Sequence, residues 1–152
     1  MLEAKLQLTN PADGNRQFMG ESGSGHRIIV DDAQGNTGPK PVELALLAVG
    51  GCTAFDVVSI LRKMRQRVTG YEVELSAEQR VEPPRVFTRV EIKHRLHGDI
   101  APEAVQKAIH LSETKYCSVG AMIGETAEIV TTFEIIPENA PATARGTNPV
   151  PA

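Results

Sequence analysis

The chain has no tryptophan and only two tyrosines and four phenylalanines among its 152 residues, so its core must be built mainly from Leu, Ile, Val and Ala. That scarcity argues against a cofactor cage made of aromatic rings. A cationic excess is missing too: 16 Lys and Arg stand against 19 Asp and Glu, a net charge of -3. A nucleic-acid binder normally carries a basic surplus to place on phosphates, so no nucleic-acid partner is expected. The first residues, MLEAKLQLTN, lack the basic start and continuous apolar run of a signal peptide, and a cytoplasmic chain is expected. Two cysteines, Cys52 and Cys117, are too few for a disulfide framework or a four-ligand zinc site. Neither the nucleophile-elbow, phosphate-loop nor dinucleotide-binding glycine pattern occurs, and no internal repeat is visible.

What is present fits one globular domain of 16.4 kDa. Leu2, Ala4, Leu6 and Leu8 alternate with polar residues, the period of a half-buried strand. Asn10-Pro11 and Asp13-Gly14 mark a turn before a second strand at Arg16 to Met19, and His26 to Val30 reads as a third. Pro41 suits the first turn of a helix, where its missing N–H has no partner to lose. From Leu44 to Leu61 the only charge is Asp56. A bilayer-spanning reading is opposed by Glu43, Asp56 and Gly50-Gly51, so this helix is expected at the centre of the molecule, wrapped by sheet and by a second subunit. Arg62, Lys63, Arg65 and Arg67 then gather at its negative end, where the helix dipole favours cations.

Beyond Gly70, two long alternating runs joined by Glu82-Pro83-Pro84-Arg85 predict an antiparallel hairpin with acidic residues on one arm facing basic ones on the other. Asp99 to Lys115 reads as a second helix capped by Asp99, with Val105, Ala108, Ile109 and Ser112 on one side. A short helix over Cys117 to Ile123 and a β-branched strand over Ile129 to Ile136 complete the domain, 1–136. Residues 137–152, rich in proline and poor in apolar bulk, are expected to form a mobile tail.

Metal binding finds little support among the four histidines: His94 and His97 fall on opposite faces of a strand, and His26 and His110 have no ligand neighbours at a useful spacing. The cysteines carry the remaining chemistry. Cys52 follows two glycines inside the long helix, and glycine costs about 1 kcal/mol there relative to alanine, so a close approach is expected. Cys117 sits at a break between helical segments beside Lys115, where free N–H groups and a cation favour thiolate, while burial opposes it. Read by themselves, the two thiols are either inert core residues or a redox pair.

The segment Pro41 to Arg67, PVELALLAVGGCTAFDVVSILRKMRQR, and the segment KYCSVGAM at 115 to 122 resemble the OsmC/Ohr family of osmotically induced and organic-hydroperoxide-resistance proteins, and GGCTAFDVVSIL is closer to its less characterised OsmC-like branch. The resemblance extends from the N-terminal strands to Ile136. It implies an α+β fold with antiparallel sheets wrapped around long central helices in an intertwined homodimer. It further implies a thiol peroxidase in which Cys52 attacks a small-molecule peroxide, Cys117 resolves the sulfenate to a disulfide, and an external dithiol, lipoyl-type in the better-known members, restores both thiols. No bound cofactor, metal or membrane is called for. Family enzymes activate the cysteine with an arginine steadied by a glutamate; the matching residues are Glu43, one position past the usual place, and Arg16, with Arg27 as its competitor. The alternative within the same fold is a non-enzymatic redox-sensing or small-molecule-binding protein.

Overall fold

The computed structural model describes residues 1–138, so most of the expected tail, 137–152, lies outside the described residues. The chain divides into two compact units, Met1–Leu47 and the residues from Ala48 onward.

In the first unit, β1 (Ala4–Leu8), β2 (Phe18–Ser22) and β3 (Arg27–Val30) form an antiparallel sheet in sequence order. A 3-10 turn at Pro11–Asp13 closes on Gly14, whose positive φ of 67° is readily available to glycine. The second strand starts at Phe18 rather than Arg16, because Arg16 is turned toward Asp32 instead of joining the ladder. The loop after β3 is organised by two aspartates. Asp31 is buried and accepts from Thr37, while Asp32 accepts from the backbone N–H groups of Gln34 and Gly35.

The long helix α1 runs Pro41–Lys63, with proline at its start as expected. Glu43 reaches back to accept from the Lys40 N–H at 2.8 Å, the reciprocal half of a capping box. Gly50 has the steric reason anticipated for it: a Cβ there would lie 2.4 Å from Leu75 Cδ1. Gly51 has no such neighbour. The helix is long and apolar enough to cross a bilayer, yet only 28% of its most apolar window is buried. The described residues therefore leave most of that window uncovered. Leu47 and Phe55 are 60% and 75% exposed.

In the second unit, β4 (Arg67–Gln79) and β5 (Phe87–Asp99) form the predicted antiparallel hairpin. Glu72 faces Arg95 and Glu74 faces Lys93; Arg95 reaches both acids, at 3.7 and 3.1 Å. The opposite face of β5 buries Val90, Ile92, His94 and Leu96. Two further helices, α2 (Pro102–Leu111) and α3 (Ser118–Gly124), return the chain to β6 (Glu128–Ile136), which pairs with β5 in parallel. A parallel neighbour requires such a crossover. The core is made where Val57 and Leu61 of α1 meet Leu96 of β5 and Val105, Ala108 and Ile109 of α2.

Two sequence expectations need correction here. Asp99 does not cap α2: it ends β5 opposite Arg67, and the cap position is Ala101, whose N–H is met by the Gln66 side chain at 2.9 Å. Nor does α2 run to Lys115. It gives way at Ser112–Tyr116 to a π-helical turn, closed by the Cys117 N–H donating to the Ser112 carbonyl at 2.8 Å.

Inside the sheet, the Tyr71 hydroxyl and His94 Nδ1 are 2.6 Å apart, and the rings stack with centroids separated by 5.9 Å. A neutral imidazole pairs with the phenol through Nδ1, whereas buried Nε2 has no hydrogen-bond partner among the described residues. Burial holds the His94 pKa down to about 4. The unfolded chain would take up a proton near the ordinary histidine value of about 6.5. This contribution to stability is thus complete above that value and is lost as pH falls toward 4, at roughly 1 kcal/mol per pH unit. Urea midpoints measured from pH 7 to 4 should fall for the native chain. The double variant Tyr71→Phe, His94→Leu, which removes both partners and the titration, should show a shallower fall.

Candidate active site

Two turns of α1 and the π-helical turn build one polar cluster. Cys52 and Asp56 are four residues apart on a helix, so their side chains lie one above the other on the same face. The π-helical turn then delivers Cys117 from the other side. A cysteine sulfur from each segment and a carboxylate oxygen of Asp56 all lie within 4.8 Å of one another. Both cysteines are free thiols; Cys52 is half-buried and Cys117 buried. Closing them into a disulfide requires the sulfurs to approach from within 4.8 Å to about 2.05 Å.

Ser112, fully buried at the start of the π-helical turn, fixes the cluster to α1. Its hydroxyl donates to Asp56 Oδ2 at 2.9 Å and lies 3.2 Å from the Thr53 hydroxyl. Single π-helical turns inside helical segments often mark functional sites because they re-aim side chains, and here the turn aims Cys117 at α1. Cys117 is also the cap of α3: its sulfur accepts from the Gly120 N–H at 3.2 Å. A Cβ on Gly120 would sit 2.9 Å from that sulfur, so the residue that supplies the N–H has to be glycine or the thiol must move.

Burial, followed by hydrogen bonding to Cys52 and by the charges of Cys52 and Asp56, pushes the Cys117 thiol up to about 11; the Gly120 N–H opposes the shift. The Cys117 thiol accordingly keeps its proton at neutral pH. Beside the cluster is a cavity of about 540 Å³ with Cys117 and Thr53 in its wall. Glu113 and Glu125 also line it, no basic residue does, and the buried Thr131 hydroxyl on its wall has no hydrogen-bond partner among the described residues.

The remaining residues singled out from sequence lie in the first unit, each with a charged partner there. Arg16 is held by Asp32, with Nε and Nη2 both 2.8 Å from Oδ2. Arg27 pairs with Glu21 at 2.6 Å. Glu43 takes both the backbone N–H and the ammonium of Lys40, which hold its carboxyl below the ordinary range. Arg16 is thus paired with Asp32 and Glu43 with Lys40. Sequence reasoning missed Asp56 as a member of the site. The available signal was its spacing of four from Cys52 as the one charge in an apolar stretch.

The thiols should differ in reactivity. With the native chain at pH 7.5, iodoacetamide should modify Cys52 first and leave Cys117 as thiol, and Cys117 alkylation should rise only as pH approaches about 11, its raised pKa. Peptide mass mapping across a pH series checks this; equal rates at neutral pH would contradict it. Gly120→Ala should displace the Cys117 sulfur and raise its alkylation rate at neutral pH.

Residues 33–132 match the family model for OsmC-like proteins. Protein YhfA of Escherichia coli strain K12 is 45% identical over 120 residues, covering 78% of this chain and 90% of that one. Among solved structures, a hypothetical protein from Aquifex aeolicus VF5 superposes with a TM-score of 0.81 at 30% identity, covering 91% of this chain and 98% of that one. An organic hydroperoxide resistance protein, OsmC, from Legionella pneumophila shares the fold at a TM-score of 0.66 and 10% identity, over 88% and 96% of the two chains. The α+β architecture and the sequence match agree, and the chain belongs to the OsmC-like protein family.

Proposed function

We propose that this chain is a cysteine-based thiol peroxidase that reduces organic hydroperoxides or related peroxides. The observation that carries the reading is the approach of the Cys52 and Cys117 sulfurs within 4.8 Å, although the residues are far apart in sequence. Membership of a family that includes proteins named for organic hydroperoxide resistance supports it.

In this mechanism the Cys52 thiolate attacks one oxygen of the peroxide; the O–O bond breaks, the alkoxide takes a proton and leaves as alcohol, and Cys52 becomes a sulfenic acid. The Cys117 sulfur then attacks the Cys52 sulfur, and the hydroxyl leaves as water with the proton Cys117 gives up. An external dithiol, lipoyl-type or similar, reduces the disulfide by exchange. The positive charge that favours the thiolate is assigned to Arg16, with Arg27 as the competing candidate and Glu43 as the carboxylate of the activating set. No bound cofactor takes part. The exposed Leu47 and Phe55 on α1 support assembly as a homodimer, whose partner would cover this helix, and a cytoplasmic setting suits two free thiols.

A redox-sensing role on the same fold is the second reading. It is favoured by one observation: the carboxylate beside the thiols is that of Asp56, and a neighbouring anion disfavours thiolate. Turnover separates the two, since a sensor would react once and a peroxidase repeatedly.

Peroxide consumption should be followed with an alkyl hydroperoxide, hydrogen peroxide and a dithiol, in the presence of a chelator. The native chain should turn over many times. Cys52→Ser should fall to the protein-free background, whereas Cys117→Ser should react once, become labelled by a sulfenate probe and proceed to sulfinic acid in excess peroxide. Arg16→Met should slow the first step about tenfold for each unit by which the Cys52 pKa rises. Native and Cys52→Ser chains reacting equally would reject the peroxidase. Sedimentation should give a mass near twice 16.4 kDa, and a stable monomer at micromolar concentration would reject the dimer.

A further inference from the structure

We propose that the reduced cluster of Cys52, Cys117 and Asp56 is a binding site for a soft divalent metal ion of the Zn(II) class, with two sulfurs and one carboxylate oxygen as ligands. The three donor atoms already lie within 4.8 Å of one another. Ligands about 2.0 to 2.3 Å from a tetrahedral zinc are separated by roughly 3.3 to 3.8 Å, so a contraction of about 1.5 Å at most completes the arrangement. Each sulfur releases its proton to solvent as it bonds the ion, and no electron changes hands. The fourth position remains for water, as in open zinc sites.

Three observations beyond the donor set fit this ligand. Outer hydrogen bonds that orient first ligands are already made: Ser112 donates to Asp56 Oδ2 at 2.9 Å, and the Gly120 N–H donates to the Cys117 sulfur at 3.2 Å. The adjoining cavity carries Glu113 and Glu125 and no basic residue, so its field attracts cations. The buried Thr131 hydroxyl on the cavity wall has no partner among the described residues, and a metal-bound water network would give it one. A divalent ion also offsets most of the charge that two thiolates and a carboxylate would otherwise hold together. Bound metal would occupy both sulfurs and so hold the pair out of peroxide chemistry, although the binding itself does not depend on the chain being a peroxidase.

The test is titration of the fully reduced, full-length chain with Zn(II) in competition with a chromophoric chelator. One ion per chain should bind, and Cys52→Ser or Cys117→Ser should weaken binding by more than about 100-fold, the upper range for loss of an outer partner. Asp56→Asn should weaken it by at least about tenfold and Ser112→Ala by about tenfold. Native protein with Cys52 blocked by methyl methanethiosulfonate should lose the site and regain it on thiol reduction, which keeps the test independent of any folding defect in the variants. No uptake by the reduced chain, or equal uptake by blocked chain or by Cys52→Ser, would overturn the proposal. Because the peroxide assay contains chelator and the titration contains no peroxide, failure of one reading is distinguishable from failure of the other.

Discussion

The hydrogen bond from Ser112 to Asp56 holds the π-helical turn that follows α2 against the middle of α1, and the approach of Cys117 to Cys52 depends on that contact. Ser112 is wholly buried, so if Asp56 moves its hydroxyl falls back on the Thr53 oxygen at 3.2 Å rather than on water. A hydrogen bond to a charged acceptor contributes about 1.5 to 3 kcal/mol, more than the neutral bond that would replace it. The tie has a geometric consequence as well. Just after Ser112 the helix widens into a π-helical turn, and Cys117, whose N–H closes that turn onto the Ser112 carbonyl, is brought to α1 by the same residue that anchors Asp56.

Much of this frame was legible in the sequence because its signals were periodic. The helix from Pro41 announced itself by proline at the first turn and by an almost unbroken apolar run, and it spans Pro41–Lys63. The hairpin was carried by two alternating runs whose opposed charges, Glu72 with Arg95 and Glu74 with Lys93, now face each other across the ladder. Even the helical glycines gave a correct hint at Gly50, which admits Leu75. Four residues assigned to one side of α2, Val105, Ala108, Ile109 and Ser112, are all buried.

The less legible parts were those in which a tertiary contact outranked a local preference. A π-helical turn uses the same helix-forming residues as an α-helix, so Ser112–Tyr116 read as a continuation of α2. Asp99 has the chemistry of a cap, yet the ladder opposite Arg67 claims it. Alternation along β6 reports which side chains share a face and carries no information on strand direction; its parallel pairing with β5 follows from the α2–α3 crossover. The cysteines were identifiable as chemistry-bearing residues, but their meeting depends on a turn the sequence does not advertise. Asp56 looked like an isolated charge on an apolar helix because its partner, Ser112, comes from another element. Among the described residues most of the apolar window of α1 stays uncovered for a related reason: hydrophobicity demands burial and does not say which chain supplies it.

The electrostatics of the cluster divide the proposed roles of the two sulfurs. A thiol pushed up to about 11 is a poor first nucleophile at neutral pH, and this is the state of Cys117. For the resolving step the retained proton is useful, since hydroxide must leave Cys52 as water and Cys117 can supply the proton as its sulfur attacks. Burial and the Cys52 hydrogen bond therefore suit Cys117 to the second step while disqualifying it from the first. Asp56 acts in the same direction on Cys117. A dithiol beside a carboxylate calls for positive charge to offset that anion. An arginine meets that requirement in the peroxidase reading, a divalent ion meets it in the metal-bound form, and the two uses of the same three side chains compete directly.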